Sequence, residues 1–285
     1  MRGTAVTRRL TVSAALAASG LIPFEAKILL GHVLDRDRAW LAAHRSTGIA
    51  AEQAQAFEEI ARRRRDGEPV AYLTGRREFH DLDLLVTPDV LIPRPETELL
   101  VELALSRIAL DDALRVLDLG TGSGAVALAI AKQRPRASVL GVDLSRAAVL
   151  LATRNAARLD IGNVSFVESD WFAALHGQRF DLIVSNPPYV AANDPHLSEG
   201  DLRFEPPGAL LGGVDGLAAI RAIVSAATAH LAESGWLMLE HGYDQAASVQ
   251  QLLDDAGFVE VAATRDLAGI LRVTYARVAG SLLPG

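Results

Sequence analysis

The stretch of chain after Leu114 alternates short, mostly apolar runs with longer segments of helical spacing, and this alternation is what most constrains the fold. The short runs predict strands of a parallel sheet that is buried on both faces. The predicted strands are residues 115–119, 138–142, 164–168, 180–185 and 235–240, followed by a closing antiparallel pair at 258–263 and 271–278. The predicted helices between them are residues 125–132, 147–159, 217–232 and 245–256. This order indicates an α/β fold with a mostly parallel, seven-stranded sheet, whose ligand site lies at the carboxyl ends of the strands.

The beginning of the chain predicts a separate, small all-α domain over residues 1–72. Apolar side chains recur at helical spacing in three segments, which are residues 4–18, a segment that begins at Pro23, and residues 51–65. Together they are typical of the core of a small helical bundle.

Residues 73–94 differ in pattern from both neighbours and predict a β-hairpin linker. The expected strands are residues 79–86 and 90–92, with a turn at 87–89. A helix that begins near Pro95 then opens the second domain, residues 95–285.

Composition excludes several classes of protein. The chain has no Cys, so it has neither disulfides nor thiolate metal sites, and a reducing cytoplasm fits. Its formal net charge of −7 argues against a protein whose main partner is a phosphate backbone. No apolar run reaches the ~20 residues of a membrane span.

The segment Asn186-Pro187-Pro188-Tyr189 directly follows the predicted strand 180–185 and cannot continue it, because two prolines remove two backbone donors. These residue types suit methylation of a planar nitrogen. The Asn186 carboxamide oxygen and the Pro187 carbonyl can accept the two N–H protons, and the Tyr189 ring offers a flat face for stacking. A plain turn with Tyr189 as a packing residue is the alternative.

A glycine-rich turn follows the first predicted strand and opens a helix. It consists of Gly120, Thr121, Gly122, Ser123 and Gly124. Its G-x-G-x-G spacing differs from the G-x-G-x-x-G of dinucleotide binders, which weakens a nicotinamide interpretation.

Two further strand ends carry polar groups that suit a nucleoside. Asp143 ends the second strand, where a carboxylate can accept from both ribose hydroxyls, and Asp170 with Trp171 follows the third, where they can frame an adenine. Taken singly, each acid could be a helix cap and Trp171 a core residue.

Seven stretches of the chain, taken together, resemble the peptide-chain release factor glutamine N5-methyltransferase family (the HemK/PrmC type). They are RRRRDGEPVAYLTGRREF (62–79), LIPRPETELLVE (91–102), VLDLGTGSGAVALAIA (116–131), SDWF (169–172), IVSNPPYV (183–190), DPHLSEGDLRFEP (194–206) and LEHGYDQ (239–245). The resemblance implies a Rossmann-like class I methyltransferase that moves a methyl group from S-adenosyl-L-methionine to the glutamine of the Gly-Gly-Gln loop in class-1 release factors, leaving S-adenosyl-L-homocysteine.

The resemblance also implies roles for individual residues. The turn from Gly120 to Gly124 would hold the methionine part of the cofactor, Asp143 the ribose, and Asp170 with Trp171 the adenine region. Asn186 would bridge cofactor and substrate, and Asn186, Pro187, Pro188 and Tyr189 would clamp the glutamine amide. The helical domain would dock on the release factor. Arg94, Glu96, Glu98 and residues 204–206 are expected at the pocket rim, without an assigned role.

Two rival functions stay open at this point. Asn-Pro-Pro-Tyr also occurs in adenine-N6 DNA methyltransferases, although the acidic balance argues against DNA as a partner. A binding module that has lost catalysis is the other rival. We expect a cytoplasmic monomer that needs no metal and contacts neither DNA nor membrane.

Overall fold

The computed structural model of the protein describes residues 10–198 and 200–280. The described chain forms two compact units. The helical unit comprises the described residues up to Gly75 together with Gly200–Phe204, and the sheet unit comprises those of Arg76–Glu199 and Glu205–Gly285. Every helix in the described residues is too short or too polar to traverse a bilayer.

The helical unit contains five helices, α1 (Val12–Ala18), α2 (Pro23–Leu34), α3 (Arg38–Ala43), α4 (Ala51–Arg65) and α5 (Val70–Thr74). Thr11 caps α1 by accepting from the backbone N–H of Ala14, so the helix predicted over residues 4–18 begins later, and residues 4–9 lie outside the described chain. The core is formed by apolar side chains from all five helices and from Ile49. The two short helices α3 and α5 were missed because each has too few turns to show a periodic pattern.

The run of arginines at the end of α4 is neutralised within the helical unit. Arg64 pairs with Glu25 at 2.8 Å and with Asp201 at 2.8 Å, and Arg203 donates to the carbonyl of Asp66 at 2.5 Å. These contacts attach Gly200–Phe204 to the helices, although that segment is remote in sequence.

The hairpin is present, but its predicted strands were wrong. Strand β1 (Arg76–Phe79) pairs antiparallel with β2 (Leu82–Leu85). The turn consists of His80 and Asp81, whose φ angles are 43° and 62°. Two left-handed residues form the tight turn that matches strand twist, usually with Asn-Gly, so His-Asp gave no recognisable signal. Residues 90–92, predicted as a strand, lie outside the hairpin.

The sheet unit contains a seven-stranded sheet in the order β5-β4-β3-β6-β7-β9-β8, in which pairings with β9 are antiparallel. The strands are β3 (Arg115–Leu119), β4 (Ser138–Asp143), β5 (Val164–Glu168), β6 (Phe180–Ser185), β7 (Leu231–Glu240), β8 (Phe258–Arg265) and β9 (Leu271–Val278). The helices are α6 (Glu98–Leu105), α7 (Ala125–Gln133), α8 (Arg146–Arg158), α9 (Ala218–His230) and α10 (Ala246–Asp255). This arrangement confirms the predicted fold class.

Both faces of the sheet are covered by helices. Val116 and Leu117 are neighbours on β3, yet Val116 packs with α6 and α7 while Leu117 packs with α9 and α10. Successive side chains on a strand point to opposite faces, so a strand between two helical layers is mostly apolar on both sides. Phe79 and Leu82 of the hairpin pack into the core between the sheet and helices α6 and α7.

Asn155 of α8 ties the hairpin to the glycine-rich turn. Its side chain is fully buried, its Oδ1 accepts from Leu85 N at 2.8 Å, and its Nδ2 donates to the carbonyls of Leu85 and Ser123 at 3.0 and 2.9 Å. One side chain therefore satisfies three buried backbone groups of two other segments.

We predict that Asn155→Leu lowers the free energy of unfolding by about 3 kcal/mol, because three buried backbone groups lose their partner. Urea unfolding of the full chain measures the change. Thr153→Ala is the matched control, since Thr153 is exposed on the same helix and bonds only within it; its effect is expected to stay within about 0.5 kcal/mol. A loss below about 1 kcal/mol for Asn155→Leu would contradict this role.

Candidate active site

A cavity of about 480 Å³ opens at the carboxyl ends of the parallel strands in the sheet unit. It lies where the chain reverses its direction across the sheet, since β4 lies on one side of β3 and β6 on the other. Of the residues predicted for the site, those that line the cavity are Gly120, Thr121, Gly122, Ser123, Asp143, Asp170, Trp171, Asn186 and Pro188. The volume is within the range typical of cofactor pockets.

The glycine-rich turn forms one wall, and its backbone conformation requires glycine. Gly120 and Gly122 have φ angles of 72° and 55°. Gly120 N and Thr121 N both donate to the carbonyl of Val142 at 2.9 Å, which joins the turn to β4. Because these positions carry no side chain, a ligand can approach the backbone closely.

Gly124, which was predicted to contact the cofactor, packs closely against its neighbours in the structure. It does not line the cavity. A Cβ there would lie 3.1 Å from the Ala152 methyl group and 3.2 Å from the Phe166 ring. The φ of 85° and these close neighbours are the reasons that this position, where the turn meets α7, requires glycine.

Asp118 is a buried carboxyl under the turn. Its Oδ2 accepts from Thr121 Oγ1 at 2.7 Å and from Ala127 N at 3.2 Å. Burial raises the pKa of Asp118 to about 7, and the two hydrogen bonds only partly oppose this rise. Asp118 lines the cavity floor and holds the turn against the start of α7.

Asp143 projects from the end of β4 beside the same turn. Its Oδ2 accepts from Gly122 N at 2.9 Å and its Oδ1 from Ser145 N at 2.9 Å. Each carboxylate oxygen has a second lone pair, so the group remains able to accept two hydroxyl protons from a ligand. The two backbone contacts fix its orientation before any ligand binds.

Trp171 follows β5 in a left-handed conformation, with φ of 46°. Ser169 Oγ donates to the Trp171 carbonyl at 2.8 Å and accepts from Ala174 N at 3.0 Å, which holds this uncommon turn. Both Asp170 and Trp171 thereby lie on the cavity wall.

Two of the four residues after β6 line the cavity. Asn186 and Pro188 line the cavity, whereas Pro187 is buried and Tyr189 lies beyond the wall. Asn186 Nδ2 donates to Thr97 Oγ1 at 3.0 Å. Burial, with the nearby charge of Glu240, raises the pKa of the Tyr189 hydroxyl, so the phenol stays neutral.

A glycine-containing loop, residues 210–216, supports the backbone of this segment. Gly212 N donates to the Val190 carbonyl at 2.9 Å, and a Cβ on Gly216 would lie 2.3 Å from Tyr189 O. Gln245 Nε2 donates to the same Tyr189 carbonyl at 3.0 Å. We call residues 210–216 the brace loop.

Comparisons with known proteins agree with this geometry. The Methyltransferase small domain family matches residues 96–200, and the PrmC N-terminal domain family matches residues 10–75. The release factor glutamine methyltransferase of Xylella fastidiosa strain Temecula1 is 54% identical over 256 residues, which cover 90% of this chain and 93% of the relative. The release factor glutamine methyltransferase of Escherichia coli strain K12 is 48% identical over 253 residues, covering 89% and 91%. The chain belongs to the release factor glutamine methyltransferase family.

A solved structure supports the fold independently. The 16S rRNA methyltransferase RsmC of T. thermophilus, in complex with AdoMet and guanosine, matches with a TM-score of 0.52 at 23% identity, covering 71% of this chain and 49% of that chain. At this identity the likeness shows the fold alone. Family membership confirms the resemblance seen in the sequence and the assignment of the chain as an S-adenosylmethionine-dependent methyltransferase.

Several cavity residues of this methyltransferase were not predicted from the sequence. They are Asp89, Val90, Leu91, Pro93, Thr97, Leu144, Ser145, Ser169, Gly208 and Ala209. Most come from irregular segments that approach the strand ends from a distance in sequence. Thr97 is buried although Glu96 and Glu98 flank it, so no sequence pattern distinguished it from a solvent-exposed helix start.

The residues expected at the rim have structural partners. Buried Glu205 pairs with Arg94 and accepts from Ile92 N at 3.1 Å, which fixes the segment before Pro206 on the cavity wall. Glu98 accepts from His80 N at 3.0 Å. Glu96 does not line the cavity.

We predict that Gly216→Ala lowers the free energy of unfolding by about 1–3 kcal/mol and weakens methyl transfer, because the new Cβ would displace the Tyr189 backbone. Thermal unfolding and initial rates measure the two effects. Gly162→Ala is the control, since a Cβ there meets nothing within 4 Å. Equal stability and equal rates in the two variants would contradict the supporting role of the brace loop.

Proposed function

We propose that this enzyme transfers a methyl group from S-adenosyl-L-methionine to the side-chain amide nitrogen (N5) of the glutamine in the Gly-Gly-Gln motif of class-1 peptide-chain release factors, and thereby modulates translation termination. The observation that carries the proposal is the position of Asn186. Its carboxamide lies on the wall of a glycine-lined cavity, at the strand end where a cofactor and a planar amide would meet. The named relatives act on release factor glutamine and match nearly the whole chain.

The cavity fits the cofactor. Asp143 offers carboxylate oxygens for the ribose hydroxyls, and the turn at Gly120 and Gly122 leaves backbone accessible for the methionine part. Asp170 and Trp171 would frame the adenine. When bound, the cofactor supplies a methyl carbon made electrophilic by a positively charged sulfur.

The residues after β6 would position the acceptor. The Asn186 carbonyl oxygen and the Pro187 carbonyl accept the two amide protons of glutamine, which directs the nitrogen lone pair at the methyl carbon. Methyl transfer would form the carbon–nitrogen bond as the carbon–sulfur bond breaks, and the amide would then lose one proton to water. Alignment and electrostatics supply the rate, so no strong base is needed.

Tyr189 and Pro188 would complete the clamp on the glutamine side chain. Tyr189 is only partly buried, and its hydroxyl points toward Glu240, which limits the motion of the ring. We infer that the ring stacks on the planar amide.

The other partners are part of the same proposal. We infer that the helical domain, residues 1–72, docks on the release factor and that the hairpin segment, residues 73–94, connects it to the methyltransferase domain, residues 95–285. The acidic net charge supports a protein acceptor over DNA or a membrane surface. We infer a cytoplasmic monomer that uses no metal.

A direct test offers three acceptors side by side with labelled S-adenosylmethionine. They are an intact class-1 release factor, the same factor with its Gly-Gly-Gln glutamine changed to alanine, and duplex DNA. We expect label on the intact factor alone, located at the glutamine by mass spectrometry. Label on DNA would favour an adenine-N6 methyltransferase, and label on no acceptor would favour a binding module.

We predict that Asn186→Ala lowers turnover by ~100-fold or more while the fold persists, because a hydrogen-bond acceptor aimed at the reacting amide is lost. Steady-state kinetics measure the loss, and binding of S-adenosyl-L-homocysteine checks that the cavity remains intact. Gln251→Ala removes an exposed amide on α10 and serves as the control with near-normal turnover. Near-normal turnover of Asn186→Ala would refute the clamp.

A further inference from the structure

A buried carboxyl lies behind the wall that carries Asn186. Glu240 ends β7, and its residue is 1% exposed. β6 pairs in parallel with β7 so that Ser185 is opposite Leu239, which makes Asn186 and Glu240 the next residues in register. Glu240 is almost completely buried and is not among the residues that line the cavity.

Two hydroxyl groups face this carboxyl. Tyr189 Oη lies 3.5 Å from Glu240 Oε1, a long contact. The Thr97 hydroxyl also lies close and lowers the pKa of Glu240, although Oε2 makes no hydrogen bond of ordinary geometry among the described residues. Thr97 is 4% exposed and forms part of the cavity wall.

Asn186 Nδ2 donates to Thr97 Oγ1 at 3.0 Å, and the Thr97 hydroxyl also acts on the Glu240 carboxyl. A threonine hydroxyl has one proton to donate. An ionised carboxylate can only accept, so a Thr97 proton turned toward Glu240 would be accepted by it. The remaining partner of Thr97 must then be a donor, and the only donor group of Asn186 on its side chain is the NH₂.

This proton count favours one of the two orientations of the Asn186 carboxamide, whose oxygen and nitrogen ends have nearly the same shape. With its NH₂ held by Thr97, Asn186 has its carbonyl oxygen available to accept from a substrate amide. If the carboxamide were reversed, its NH₂ group would face the substrate amide. Two sets of donors would then face each other, and no hydrogen bond from the substrate N–H groups would form.

We propose that Glu240 is a positioning residue that acts through the Thr97 hydroxyl to fix the Asn186 carboxamide with its oxygen toward the substrate amide. The proposal rests on the proposed function, because it concerns how Asn186 accepts the glutamine N–H. It assigns a task to a buried acid that contacts neither substrate nor cofactor.

The surroundings of Glu240 indicate that its protonation state changes near neutral pH. Burial and the charge of Glu96 raise the pKa of Glu240 to about 7, whereas Thr97, Arg272 of β9 and the Tyr189 hydroxyl oppose the rise. Burial lowers the pKa of His241, the next residue. Below pH 7 the protonated Glu240 can donate to Thr97, and both orientations of Asn186 become possible.

The first test compares Thr97→Val with Thr97→Ser. Valine keeps the shape and removes the hydroxyl, whereas serine keeps the hydroxyl. We expect kcat to fall about 10-fold or more in Thr97→Val and to stay within about 3-fold of wild type in Thr97→Ser, with the affinity for S-adenosyl-L-homocysteine changed less than about 3-fold in both. Equal kcat for the two variants would overturn the proposal.

The second test measures the ratio of wild-type kcat to that of Glu240→Gln from pH 5.5 to 8.5. Glutamine resembles the protonated acid, so the ratio should exceed about 10 above pH 7 and fall toward one at low pH. Asp118 titrates in the same way in both proteins, so its effect cancels in the ratio of the two kcat values. A ratio that does not vary with pH would overturn the proposal.

A wild type without activity on release factors would refute the proposed function, whereas an active wild type with unaffected variants would refute this inference alone.

Discussion

Strand β6 pairs in parallel with β3 on one side and with β7 on the other, and this pairing fixes the level at which the site residues begin. It sets Leu119 opposite Ser185 and Ser185 opposite Leu239. The glycine-rich turn, Asn186 and Glu240 therefore begin at the same level of one sheet edge. Ser185 Oγ donates to the Leu119 carbonyl at 2.7 Å and adds a side-chain bond to this pairing.

Buried polar groups, rather than apolar contacts, determine the precision of the site. Asn155 holds the end of β2 and the glycine-rich turn, Asp118 holds the start of α7, and Glu205 holds Ile92 in an irregular segment. A buried donor or acceptor without a partner costs about 1–3 kcal/mol, so each such side chain makes one loop conformation strongly preferred. Preorganised segments of this kind suit a reaction that depends on alignment more than on acid–base chemistry.

The fold of the sheet unit could be predicted because its strands and helices have local periodic patterns. The hairpin was misplaced because His80 and Asp81 adopt a turn that normally uses glycine or asparagine. Within the site, Gly124 and Tyr189 were expected to contact ligands, yet neither lines the cavity. A motif indicates that its residues lie together, but which of them faces the ligand depends on packing from other segments.

Hydrophobic period and motif spacing are local properties of the chain, and they were enough to predict the order of strands and helices in the seven-stranded sheet, the family, and the four strand ends that meet at the site. Only the tertiary structure decided that Thr97, Glu205 and Glu240 support those strand ends. Thr97 reaches Asn186 across 89 positions, and Arg94 reaches Glu205 across 111. Such contacts arise when separate layers pack, and no local pattern encodes which buried polar groups will then meet.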